Sequence, residues 1–211
     1  TDNYNTRVQK FSSTGTFLAK WGSPGSNDGQ FGAPFSAAVD SSGNVYVTDL
    51  QNNRTQKFNS NGTFLAKWGS YGNSDGQFYW PYGVAVDSSG NVYVADSYNH
   101  RIQKFSSTGT FLAKWGSEGT DDGQFKCPFR LVVDNSGNVY VTDQWNFRIQ
   151  KFAPSSTVDP TSSPLIGIFR PSLRQFIFNS IPVTRTTFGL STDIPITGDW
   201  NGDNITDVGV F

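Results

Sequence analysis

Two sets of residues in this sequence have the types and spacing that chemistry needs. The first lies in "DWNGDNITD": Asp199, Asn201 and Asp203 stand at alternate positions, Ile205 is placed to offer its carbonyl, and Asp207 closes the loop. Hard oxygen donors at every second position match the inner coordination shell of a Ca²⁺ loop. Asn204 stands where such loops usually turn on glycine, and Val210 stands where a bidentate glutamate would complete the shell. Asparagine tolerates the left-handed backbone, so the first departure is mild. The run reads as a structural Ca²⁺ site, with a metal-free turn held by Asx hydrogen bonds as the alternative. Bound there, the ion would draw acidic side chains together over little apolar core.

The second set is aromatic. Tyr98 and Trp145 sit in "SYN" and "QWN", and Trp80 and Tyr82 in "YWPY". Exposed rings with Asn neighbours can stack on sugar faces or grip an extended peptide. The plainer alternative is that they pack between neighbouring sheets.

Groups for acid–base or nucleophilic work are scarce. The chain has a single His, His100, a single Cys, Cys127, and a single Glu, Glu118. One imidazole and one thiol make neither a zinc site nor a Ser-His-Asp arrangement. The expectation is therefore that the protein is not an enzyme, and that Cys127 is a bystander thiol.

The elements that position these residues follow from a repeat. "GTFLAKWGS" occupies residues 15–23 and returns unchanged at 62–70 and 109–117, a period of 47 that holds across the first 152 residues. A period in the forties, with short runs of β-branched and aromatic residues between Gly-rich turns, predicts one propeller blade per repeat. One repeat offers four strands, at 82–88, 91–97, 101–107 and 110–116, joined by "SSGN" and "STGT" turns in which glycine supplies the positive φ. The fold class is all-β, and no helix is expected. The strand inventory is two, four, four and three, so the ring is open. The open ring is read as a fragment of a longer chain, as half of a six-bladed pair of chains, or as covered by the second module.

Residues that recur in every copy are read as scaffold. Asp49 with Arg54, Asp96 with Arg101 and Asp143 with Arg148 are placed to pin the turn after the second strand. Trp21, Trp68 and Trp115 are placed to fill the gap between adjacent sheets. Variable loop positions are where a ligand site would sit.

The runs Gly83 to Asp87, Gly90 to Asp96 and Asn99 to Ile102 resemble the NHL repeat, and the likeness extends over residues 1 to about 152. The resemblance implies a β-propeller. Some NHL-like propellers are metal-dependent lyases or lactonases that gather His, Asp or Glu at the central channel. His100 lies in "NHR" without companion imidazoles and resembles an ordinary turn residue. Others bind RNA through a basic face, but residues 1–152 hold thirteen basic and twelve acidic side chains, evenly spread. Little counterion release is available, and nucleic acid is not an expected partner.

After Phe152 comes "APSSTVDPTSSP", read as a linker over 153–164. The segment 165–211 then shows "IGIF" at 166–169 and "VGVF" at 208–211, a different period of 42. With "DWNGDNITD", it resembles the FG-GAP or VCBS-like repeats of large prokaryotic surface proteins.

The net charge is −1 and no apolar run reaches the roughly 20 residues of a membrane span, so membrane insertion is not expected. Low charge with abundant Ser, Thr, Asn and Gly suits a prokaryotic extracellular or cell-surface setting. The reading is a non-catalytic structural or adhesive scaffold that binds protein or glycan and self-associates. A glycan- or peptide-binding sensor ectodomain is the alternative, with a lactonase or lyase third.

Overall fold

The computed structural model describes residues 1–153, and beyond them the backbone of residues 166–170, 175–179, 195–198 and 207–210. The chain divides into two units, Thr1–Pro154 and Ser155–Phe211.

The first unit is a run of antiparallel sheets in chain order. A two-stranded sheet holds β1 (Val8–Phe11) and β2 (Phe17–Trp21). The first full blade holds β3 (Pro34–Val39), β4 (Val45–Asp49), β5 (Arg54–Phe58) and β6 (Phe64–Trp68). The second full blade holds β7 (Pro81–Val86), β8 (Val92–Asp96), β9 (Arg101–Phe105) and β10 (Phe111–Trp115). A three-stranded blade follows, with β11 (Pro128–Val133), β12 (Val139–Asp143) and β13 (Arg148–Phe152). This is the all-β propeller architecture expected from the repeat.

Burial explains the residue types. The second strands, "VYVTD" in β4 and "VYVAD" in β8, are buried at every position, and the third strands are buried except at Lys57 and Lys104. The second strands carry the apolar residues expected of strands covered on both faces, whereas the third strands bury Arg54, Gln56, Arg101 and Gln103, each of them hydrogen-bonded. The outermost β6 and β10 are only partly covered, and there "FLAKW" mixes apolar and polar residues. In β13 the sequence "RIQKF" matches β9, yet none of its positions is fully buried.

Each gap between sheets is closed by a Trp from an outer strand. Trp21 packs on Phe58 at 6.0 Å, Trp68 on Phe105 at 5.9 Å and Trp115 on Phe152 at 5.8 Å. Trp68 also covers the glycine turn of the next blade: a Cβ on Gly109, whose φ is +89°, would lie 2.7 Å from the indole. The inner strands β3, β7 and β11 bring Phe35, Tyr82 and Phe129 together, with ring centroids 4.7–5.4 Å apart.

The expectation of no helix needs one correction. Single 3-10 turns occupy Ser97–Asn99 and Gln144–Asn146, each ended by a left-handed residue, His100 (φ 54°) and Phe147 (φ 53°). Three residues are too few to leave a helical periodicity in sequence.

In the second unit, β14 (Ile166–Arg170), β15 (Gln175–Asn179), β16 (Pro195–Gly198) and β17 (Asp207–Val210) form one sheet in the order β15-β14-β17-β16. β14 and β17 run parallel with Ile168 opposite Val210, so the two similar segments lie side by side. Except for Ala153, the linker falls outside the described residues. No described helix is long and apolar enough to cross a membrane.

Candidate ligand face

Three layers of residues build this face: a buried clamp, a set of loops, and the rings the loops carry. In the second full blade, Arg101 Nε donates to Asp96 Oδ2 at 2.7 Å. The rest of the guanidinium reaches into the loop before β7, donating to Asn73 O at 2.7 Å, Ser74 O at 2.9 Å and Gln77 O at 3.0 Å. Gln103 completes the grip, donating to Gln77 O at 2.6 Å and accepting from Gly76 N at 2.9 Å. Asp96 accepts the Tyr79 N–H at 2.7 Å, so one carboxylate ties the strand end to the loop.

The same clamp recurs in the sister blades. Arg54 donates to Asp49 at 3.0 Å and to Ser26, Asn27 and Gln30 carbonyls. Arg148 donates to Asp143 at 2.8 Å and to Thr120, Asp121 and Gln124 carbonyls. Paired and hydrogen-bonded in this way, buried charges are tolerated. The six residues thus do more than brace a turn, since they hold the loop in front of each inner strand.

Asp40, Asp87 and Asp134 do a second repeated job. Asp134 Oδ1 accepts the Ser136 and Asn138 N–H groups, and Oδ2 accepts the Asn138 amide and the Tyr140 hydroxyl. The Asn138 amide leads the set of hydrogen bonds that hold this carboxyl below the usual carboxylate range, against a smaller opposing effect of burial.

The loops end in an unusual backbone. Trp80 and Cys127 have φ of 54° and 60°, left-handed values that are uncommon outside glycine and an outlier for a side chain as bulky as Trp80. Each is held from the neighbouring blade: Trp80 N donates to Asn53 Oδ1 at 3.0 Å, and Cys127 N to His100 Nδ1 at 3.3 Å. His100 is therefore an acceptor that joins two blades. Cys127 is buried, and that burial pushes its thiol up.

This backbone brings the four aromatic candidates into one surface. Tyr98 lies 6.0 Å from Trp80 and 6.3 Å from Trp145, and Trp80 lies 6.1 Å from Tyr82. Trp80, Tyr98 and Trp145 are 37%, 40% and 51% exposed. Tyr82 is more enclosed, and burial pushes its phenol up. The Arg130 guanidinium stands 5.1 Å from the centroid of the Phe35 ring, which itself packs on Tyr82. The rings thus pack on one another and still present their outer faces to solvent.

Sequence reasoning missed two members. Tyr79 stands 5.1 Å from Tyr98, and Tyr71 stands 5.3 Å from Tyr79 at an interplanar angle of 83°. They flank a groove of about 380 Å³ lined by Tyr71, Gly72, Asn73, Tyr79 and Asn99. The signal was present in the repeat register, where Tyr71 replaces Pro24 and Glu118, and Tyr79 replaces Gly32 and Lys126.

Among the described residues there is no group of three or more His, Cys, Asp or Glu able to hold a metal ion. Asp199, Asn201, Asp203 and Ile205 lie outside the described residues, and of Asp207 only the backbone, at the start of β17, is described.

The NHL repeat matches residues 78–105 and 125–152. No curated protein matches the sequence. Among solved structures, the chain is similar to a protein of unknown function from Bacteroides thetaiotaomicron, with TM-score 0.55 and 18% identity, over 71% of this chain and 42% of that one. It is also similar to a streptogramin B lyase, with TM-score 0.53 and 14% identity, over 86% of this chain and 57% of that one. A third likeness is to virginiamycin B lyase from Staphylococcus aureus, with TM-score 0.50 and 13% identity, over 74% of this chain and 52% of that one. The chain spans about half the length of these structures.

These likenesses correct the expectation that the protein is not an enzyme. Two of the three structures are lyases, so blades of this architecture do carry catalysis. A single His, Cys and Glu leave out a zinc site and a Ser-His-Asp arrangement; they do not exclude catalysis as such.

Proposed function

We propose that this protein is an adhesive or recognition scaffold of the prokaryotic cell exterior, which engages an extended glycan or peptide through its aromatic face. One observation carries the reading: Trp80 just before β7, Tyr82 within it, and Tyr98 and Trp145 from the 3-10 turns of two successive blades form one ring cluster, in which Trp80, Tyr98 and Trp145 are exposed. The left-handed Trp80 supports it. A bulky residue there costs on the order of 1–3 kcal/mol, and such strain gathers at sites selected for something other than stability. The test is binding to immobilised glycans and peptides, with Trp145→Ala and Trp80→Ala as variants. Loss of binding with an unchanged melting temperature supports the reading, and binding indifferent to both variants overturns it.

Self-association is a second reading, favoured by β13. Among the described residues it has no fourth strand, Ile149 is 70% exposed, and a groove of about 430 Å³ runs along Arg148 to Phe152. An unpaired strand is a template for another chain. In the full blades the equivalent edge pairs with Phe-Leu-Ala-Lys-Trp, so the occupant we propose is that strand from a second copy. Sedimentation that shows only monomer at high concentration removes this reading.

The Ca²⁺ site of the second unit stays a proposal with its own test. Ca²⁺ should raise the melting temperature and chelation lower it, and Asp203→Asn should abolish the difference.

A further inference from the structure

The pair of tyrosines that flanks the groove, Tyr71 and Tyr79, occurs in one blade only. The loops before β3, β7 and β11 share a backbone as far as Phe31, Phe78 and Phe125, because each is held by the same Arg and Gln to the same carbonyls, and they part at the next turn, where Trp80 and Cys127 are left-handed and Ala33 is not. What differs is what they display: Pro24 and Gly32 before β3, Glu118 and Lys126 before β11, and two tyrosines before β7. The two rings stand at 83° to each other, 5.3 Å apart, and make a corner whose phenol hydroxyls have no partner among the described residues.

The polar groups in the corner have a distinctive state. Part of its backbone is taken up: Gly72 N donates to Phe78 O, Gly72 O accepts from Asn99, and Asn73 O accepts from Arg101, while Tyr71 N, Tyr71 O and Asn73 N have no partner among the described residues. With both groups of Gly72 and the Asn73 carbonyl occupied, the three that remain are too few for the ladder a peptide strand would need. The side chains are open instead. The Asn73 amide makes no hydrogen bond among the described residues, and Asn99, whose Nδ2 is spent on Gly72 O and Asp96, keeps Oδ1 free. None of the five lining residues is charged. Arg101, the adjoining cation, spends its donors on Asp96 and on three carbonyls.

A ring face for C–H groups, an adjacent ring as a wall, and amides and phenols for hydroxyls describe the needs of an uncharged sugar. About 380 Å³ is near the low end of the roughly 300–1,000 Å³ of small-molecule sites, enough for a sugar unit or two. Tyr79 touches Tyr98, so the corner opens onto the aromatic face. We propose that the Tyr71–Tyr79 corner is a subsite for a neutral pyranose, the end at which a linear uncharged glycan enters before crossing Tyr98 toward Trp80 and Trp145. The proposal rests on the reading that the aromatic face binds ligand, and names the class of ligand.

The repeat provides a substitution that the scaffold accepts. Tyr71→Pro with Tyr79→Gly installs the residues of the first full blade, where Gly32 N still donates to the equivalent Asp49 at 2.9 Å. The probes are cellohexaose, laminarihexaose, mannohexaose and xylohexaose, with oligogalacturonate as the charged control and a proline-rich peptide as the alternative ligand. Saturation-transfer NMR detects binding and calorimetry measures it. At least one neutral hexaose should bind, and the double variant should weaken it by about tenfold or more at an unchanged melting temperature. Preference for oligogalacturonate or for the peptide overturns the neutral-sugar assignment while leaving the aromatic face as a binding surface. A neutral hexaose lost with Trp80→Ala and Trp145→Ala but not with the double variant overturns the corner alone. No binding by any probe overturns the assignment.

Discussion

The second full blade and the three-stranded blade after it carry almost the same sequence in their second and third strands, yet their clamps sit in different surroundings. Side-chain exposure of Arg101 and Asp96 is 9% and 0%, against 26% and 0% for Arg148 and Asp143. The geometry is the same, with Nε to Oδ2 at 2.7 and 2.8 Å. Among the described residues, a further sheet and a fourth strand cover the first clamp and not the second. The comparison teaches that the value of a repeated residue is set by what covers it, and that the covered copy is where substitutions should be felt most.

The largest effect should come from breaking the covered clamp. Arg101→Ala leaves Asp96 buried without its cation and should cost about 3–5 kcal/mol in urea unfolding. Arg148→Ala removes the same bonds where the Arg148 side chain is itself 26% exposed, so its loss opens Asp143 to water, and should cost about 1–2 kcal/mol. Equal losses would show that burial does not grade the clamps. Acid should sharpen the comparison at the turns. Asp134 has a lowered pKa, so it contributes stability above its unfolded value, and that contribution disappears as the pH falls through the folded value. Asp134→Asn should therefore flatten the acid limb of a melting-temperature profile measured below about pH 5.

The glycine turns give the next contrast. Gly109 and Gly15 hold the same place in the repeat, with φ of +89° and +84°. A Cβ at Gly109 meets the Trp68 indole at 2.7 Å, whereas at Gly15 nothing lies within 4 Å. Gly15→Ala should cost about 1 kcal/mol for the backbone alone. Gly109→Ala adds overpacking and should cost about 1–3 kcal/mol more. Similar melting temperatures for the two variants would mean that the Trp–Gly contact is loose.

The clamp residues, the glycine turns and the strand inventory were legible in the sequence because each recurs at one spacing, and a repeat averages away accident. The aromatic face was half legible. Trp80, Tyr82, Tyr98 and Trp145 stood out as variable aromatics, but Tyr71 and Tyr79 did not, since their meeting depends on how far the 71–78 loop folds back toward β7. His100 was read correctly as a turn residue without its partner. That it accepts from Cys127 N, 27 positions away, follows only from the packing of adjacent blades.

That inter-blade bond sets a smaller contrast. Asn53 Oδ1 serves Trp80 N as His100 Nδ1 serves Cys127 N. His100→Asn should therefore be nearly neutral, and His100→Ala should cost about 1 kcal/mol for the orphaned N–H. If the two variants melted together, the acceptor at this position would be dispensable.

The smallest effect separates binding from stability at Trp80. Trp80→Ala and Trp80→Gly delete the same ring and the same contacts with Tyr82 and Tyr98. They differ in backbone cost, because at φ 54° alanine keeps the left-handed penalty and glycine sheds it. The glycine variant should be the more stable by about 0.5–1 kcal/mol, and both should lose the same affinity for any ligand of the face. A glycine variant no more stable than the alanine one would show that the left-handed backbone at Trp80 is not strained, and would remove the argument that the strain is kept in order to present the indole.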